Sequence, residues 1–164
     1  MATPNDQTGS DQPNGGLALD ERSGLLVATF QVTGLRLGID AAHVREALQA
    51  QPLTTVPHSR PEVSGLLNLR GEVVTALDLR ARLGLYADAE DRPTPMNLVV
   101  TVGSEPVSLL VDQIDDVIEL DTEVLEPVPD TVEPHLRSLL EGVHQQPDGL
   151  LLILDLDEVI TPTR

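Results

Sequence analysis

The sequence has no cysteine, which excludes disulfide staples, thiolate catalysis and cysteine-based zinc sites. Aromatic rings are almost absent: Phe30 and Tyr86 stand alone, and there is no tryptophan. A platform that stacks sugars or bases needs aromatic faces, so that mode of binding is set aside and an aliphatic core is expected. No apolar run approaches the roughly 20 residues needed to cross a bilayer. The opening residues, MATPNDQTGSDQPNGG, lack the basic stretch and apolar run of a secretory signal. The expectation is a cytoplasmic protein without direct membrane insertion. Positive charge is scarce as well. Ten basic residues face 27 acids, for a formal net charge of -17. Phosphate backbones need a basic surface, so nucleic acid is not an expected partner.

The charge is unevenly spread. Residues 25–86 carry six arginines and five acids, whereas residues 87–164 carry three arginines and eighteen acids. Such an asymmetry suggests that the two halves face different neighbours. At 164 residues the chain has the length of one ordinary domain or two small subdomains. Residues 1–22 are rich in Gly, Pro, Asn, Asp and Gln and read as a disordered tail, with order over 23–164. Short β-prone runs follow at 25–32, 35–39, 54–56, 66–69, 72–78, 97–102, 106–111, 117–120 and 150–154. Helical character is expected at 41–48, 79–84 and 133–140, and a polar linker at 87–95.

The second half repeats the first. Gly38-Ile39-Asp40 aligns with Leu110-Val111-Asp112, and Val56-Pro57 with Val128-Pro129, both 72 residues apart. Gly71 and Gly149 each precede a β run ending in Asp-Leu, at Asp78-Leu79 and Asp155-Leu156. Two related β subdomains are expected, at about 25–90 and 95–164, with a groove between them.

The stretch PEVSGLLNLRGEVVTALDLRARLGL, residues 61–85, resembles the signature of the CheW family of chemotaxis coupling proteins. Leu37-Gly38-Ile39-Asp40 and Val44-Arg45-Glu46 upstream, with Leu110-Val111-Asp112 and 152–156 downstream, are similar to the rest of that family's framework. The resemblance covers about 25–160. It implies a mainly β fold of two five-stranded barrels of the Src-homology-three-like type, with a few short helices. It implies an adaptor without cofactor or catalysis, which couples a CheA-type histidine kinase, through the kinase's regulatory domain, to the cytoplasmic tips of methyl-accepting chemoreceptors in signalling arrays. Two departures stand out: Thr75-Ala76 where the family usually has proline, and the acidic second half.

By the same resemblance Arg70 is the leading partner-binding residue. Its guanidinium is a permanently charged, rigid fork suited to carboxylates. Asn68 and Gly71 are expected to shape its turn. Val44, Arg45 and Glu46 resemble receptor-facing positions. Leu66 and Leu67 alternate faces on a strand, and Leu67 is the candidate partner contact. Asp78 is expected to cap the following helical turn.

Asp112, Asp115 and Asp116 lack calcium-loop spacing and read as solvated charge on a turn. His43, His58, His135 and His144 are scattered, with no metal-ligand spacing. Two alternatives remain. One is a coupler of a chemosensory pathway with no motility output. The other is a small acidic hydrolase, which would need two acids in one cleft with separated pKa values.

Overall fold

The structure, a computed structural model, describes residues 24–85, 92–121, 123 and 125–161. The expected tail at 1–22 and residues 87–91 of the expected linker lie outside them. Ten strands and three short helices follow one another: β1 (Gly24–Val32), β2 (Leu35–Asp40), β3 (Val44–Leu48), β4 (Val63–Leu69), β5 (Glu72–Asp78), α1 (Leu79–Arg82), β6 (Met96–Val102), β7 (Glu105–Val111), β8 (Gln113–Asp121), α2 (Pro134–Arg137), β9 (Leu140–Gln146), β10 (Gly149–Leu154) and α3 (Leu156–Ile160). They form two five-stranded sheets. The first has the order β8-β1-β2-β10-β9, the second β3-β6-β7-β5-β4.

The sequence repeat is present, but the sheets do not divide where it predicts. Each half of the chain contributes β1–β5 or β6–β10. The first sheet takes its hairpin β1–β2 from one half and β8, β9 and β10 from the other; the second takes the reciprocal set. The expected split near residue 90 is therefore replaced by an exchange of hairpins. Strand pairing shows the equivalence. Val44 faces Val100 in the second sheet, and Ile114 faces Phe30 in the first, the same pairing 70 residues on with partners exchanged. The ladder also corrects the alignment. Asp40 faces Val27 as Leu110 faces Asn97, so Leu110, not Asp112, is the counterpart of Asp40. Likewise Leu69 faces Glu72 as Gln146 faces Gly149, so Gly149 matches Glu72 rather than Gly71.

Each sheet curls until its edges meet. Past β3, Thr54 pairs with Leu66 of β4; past β8, Glu126 pairs with Val143 of β9. Both closures press a backbone carbonyl against a glycine. A Cβ on Gly65 would lie 2.6 Å from the Thr54 oxygen, and one on Gly142 2.9 Å from the Glu126 oxygen. Only a residue without a side chain permits that approach.

The barrels are filled by separate small clusters: Val27, Leu120, Leu151 and Ile153 in the first, and Leu67, Leu69, Val74, Ala76, Val99 and Leu110 in the second. A larger cluster lies between them. It joins Phe30 and Leu37 of the first sheet to Leu98 and Leu109 of the second, with Leu79, Leu83, Leu156 and Val159 from the α1 and α3 regions. Central strands are thus buried on both faces along part of their length, which explains unbroken apolar runs such as LLIL at 151–154.

Two helical expectations fail. Residues 41–48 form a 3-10 turn at Ala41–His43 and then strand β3. Pairing of Val44–Leu48 with β6 outweighs the helix propensity of REAL. The expected helix at 133–140 ends at Arg137, and Leu140–Gln146 is strand β9. Gly, His and Gln are weak strand formers, so that strand carries no local signal and is held by β10.

Candidate partner-binding surface

The β4–β5 hairpin turns on two residues, Arg70 and Gly71, with φ of 55° and 86°. Positive φ at both positions is the signature of a type I′ turn, whose twist matches that of the flanking strands. Gly71 adopts it freely; an arginine there is uncommon. The Asn68 side-chain oxygen accepts from the Gly71 N–H at 2.9 Å and fixes the turn. The strained position aims the Arg70 side chain across the closing edge of the second barrel. Its Nη1 and Nη2 donate to the two Glu46 oxygens at 2.6 and 2.7 Å. Beside this pair, Arg45 reaches Glu72 at 2.9 Å. Both ion pairs run from β3 to the β4–β5 hairpin, the two edges of the sheet, and so close its seam. The hydrogen bond from Arg70 holds the Glu46 carboxyl below its ordinary pKa.

Arg70 remains 67% exposed although paired. Val73, one residue into β5 from Glu72, is exposed at 63%. Val44 is half-buried against the central cluster. Arg70, Asn68, Gly71, Arg45 and Glu46 thus stand together around one seam. Leu67 does not join them. It is 2% exposed and packs among Leu69, Val74 and Val99, because the outward face of β4 at this point belongs to Leu66 and Asn68.

Among the described residues, the equivalent seam of the first barrel has no such clamp. Seventy residues on, Arg45 and Glu46 become Asp115 and Asp116, and the turn is Pro147-Asp148. Arg36 supplies the local cation, donating to Gln146 at 2.7 Å and to Asp148 at 3.2 Å. The charge asymmetry between the two halves therefore becomes an asymmetry between two related surfaces.

Asp112 is not the solvated turn charge that its spacing suggests. It accepts from Arg80 at 2.9 and 2.8 Å and from the Thr33 N–H at 2.7 Å. Arg80 and Asp112 side chains are 7% and 19% exposed. Asp115 bonds Gln31 and Gln113 instead. Asp78 caps α1 through the Arg80 N–H at 3.0 Å, as expected, and also accepts from Arg92. Among the histidines, His43 Nδ1 lies 3.2 Å from the Thr101 carbonyl oxygen and His135 Nε2 2.8 Å from that of Arg82. These are structural contacts.

A second group of acids surrounds Glu141 on β9. Burial raises its pKa first, and Asp155, Asp40 and Asp157 add to the rise, against a smaller opposing effect of His43. A carboxyl whose folded pKa lies above its unfolded value binds its proton more tightly when folded. Its cost in stability therefore grows as pH rises through the folded pKa and disappears below the unfolded one. Glu141→Gln is expected to raise the melting temperature near pH 7 and to leave it little changed near pH 4. A scan of melting temperature against pH checks this; an equal shift at both ends would refute the assignment.

No helix among the described residues is long and apolar enough to cross a membrane. Two five-stranded β-barrels that exchange hairpins thus leave a charged seam exposed around Arg70. Comparison with known proteins carries this further. The family model described as "CheW-like domain" matches residues 26–163. The chemotaxis protein CheW of Rhizobium meliloti is 33% identical over 130 residues, 79% of this chain and 83% of that protein. The chemotaxis protein CheW of Bacillus subtilis is 29% identical over 139 residues, 85% and 88% of the two chains. The crystal structure of the scaffolding protein TtCheW from Thermoanaerobacter tengcongensis shares the fold, with a TM-score of 0.75, 23% identity and coverage of 85% and 89%. The chain belongs to the CheW family. It is a chemotaxis coupling protein of the adaptor class, built as a double barrel.

Proposed function

We propose that the protein couples a CheA-type histidine kinase, through the kinase's regulatory domain, to the cytoplasmic tips of chemoreceptors, and that it acts without catalysis at membrane-associated arrays. Membership of the CheW family carries this reading. The seam around Arg70 is the surface assigned to a partner. It gathers Arg70, Arg45, Glu46, Asn68 and Gly71, all named by the family resemblance, and sets an exposed apolar side chain, Val73, beside them. Charged groups at such a rim set register and association rate, while the apolar neighbour supplies burial.

Arg70→Glu alone would also repel Glu46, so it is paired with the charge swap Glu46→Arg/Arg70→Glu, which restores the intrachain pair in reverse. The measurement is titration calorimetry of wild type, single variant and swap against the regulatory domain of the CheA-type kinase from the same genome, and against a receptor-tip fragment. Roughly tenfold or greater weakening is expected in both variants for the partner that uses this seam, because the charge it meets has changed sign. Binding recovered in the swap would make the Arg70–Glu46 pair a structural clamp rather than a contact. No complex between the wild type and either partner would end the coupling proposal for them.

A further inference from the structure

The short helix α1 carries two arginines, and both are spent away from the surface. Arg80 and Arg82 are each only 6% exposed. Arg82 donates from Nε to the Val159 carbonyl at 2.7 Å and from Nη2 to those of Glu158 and Thr161 at 2.9 and 3.1 Å. These oxygens lie at the C-terminal end of α3, where helix carbonyls lack intrahelical partners. Arg80, through Asp112, is linked to the Thr33 N–H in the β1–β2 turn.

The placement gives the bonds their meaning. Helix α1 follows β5 and belongs to the second barrel; α3 follows β10 and the β1–β2 turn joins two strands of the first. Both arginines therefore reach out from one barrel toward the other. The arrangement is one-sided. By the register of the repeat, the counterparts of Arg80 and Arg82 on α3 are Asp157 and Val159, and Val159 gives the joint an apolar side chain and a backbone carbonyl but no guanidinium. Beyond these bonds, the Asp112 N–H on the Gln31 carbonyl and His135 Nε2 at 2.8 Å from the Arg82 carbonyl oxygen, the contact between the barrels among the described residues is a largely aliphatic cluster. Burial of aliphatic surface is non-directional, so it favours contact without selecting one angle. A planar guanidinium bonded to three carbonyls is directional and does select one.

We infer that Arg82 is a positioning residue that locks the angle between the two barrels, with the Arg80–Asp112 pair as its second point of attachment. Surfaces on the two barrels then keep a fixed mutual geometry. This holds whatever each surface binds.

The absence of cysteine makes the test direct. Spin labels at Val73→Cys on β5 and Val117→Cys on β8, both exposed positions on opposite sheets, report the distance between barrels. A second labelled pair, Leu26→Cys on β1 and Leu150→Cys on β10, lies within the first sheet and serves as the control. Distances are read by pulsed electron spin resonance in the full chain, with Arg82 intact and as Arg82→Met, which keeps the apolar stem and loses the donors. The expected result is a broadened or shifted inter-barrel distance with the control pair unchanged. An unchanged inter-barrel distance would overturn the inference. So would broadening of both pairs, which would make Arg82 a residue of the barrel fold itself. If Arg82→Met does not fold, Arg82→Lys, which retains the charge but not the fork, is judged by the same two distances.

Discussion

Asp112→Ala is expected to destabilise the protein by about 3 kcal/mol, because it strands the Arg80 guanidinium in a site where it is 7% exposed. Breaking a buried ion pair from one side leaves the desolvation cost of the remaining charge without its partner. The partial exposure of Asp112 places the figure at the lower end of the usual range for such pairs. The Thr33 N–H loses its acceptor in the same change. Arg80→Met should cost a similar amount, since Asp112 then keeps only the Thr33 bond. The double variant Arg80→Met/Asp112→Ala should cost clearly less than the two single effects added, because no unpaired charge remains. Urea unfolding of all four proteins closes the cycle. Additive effects would show that the pair is not coupled and that each residue acts through packing alone.

Gly65→Ala should be as damaging, on the order of 3 kcal/mol, by a purely steric route. The added methyl would sit 2.6 Å from the Thr54 carbonyl oxygen, and Gly65 has φ of +152°. The obstacle is backbone, not the end of a flexible side chain, so relief requires the Thr54–Leu66 closure to open. Gly71→Ala is the comparison. It has a positive φ but open space around it, so roughly 1 kcal/mol of backbone strain is expected there. Gly142→Ala should fall between them, with 2.9 Å to the Glu126 oxygen. Denaturant midpoints rank the three variants. A Gly71 variant as damaged as the Gly65 variant would show that conformation, not closure of the barrel, governs these sites.

Much of the architecture was legible along the chain. The Arg70-Gly71 turn, the Asp78 cap and most strands follow from local chemistry: a glycine that tolerates positive φ beside an asparagine that bonds its backbone, a carboxylate one step before a helical turn, and β-branched runs. Strand β9 was hidden because LEGVHQQ has neither alternation nor strand propensity. The candidate seam was half legible. Arg70, Asn68 and Gly71 could be named together because the turn joins them in sequence. Their union with Arg45 and Glu46 on β3 required the sheet to curl. Leu67 was misplaced because alternation shows that two neighbours face opposite ways, not which of them faces inward.

What the sequence determined by itself is the repeat, the Arg70-Gly71 turn, the Asp78 cap, the aliphatic character of the core and the family, all of which are read from composition and from short local patterns. What only the tertiary structure decided is the exchange of hairpins between the barrels, and with it the roles of Asp112 and the α1 arginines. The physical reason lies in the repeat. Two similar halves offer each hairpin two similar docking edges, so local pattern is satisfied by either pairing. The choice falls to long-range burial, where Phe30 and Leu37 meet Leu98 and Leu109 around one shared core.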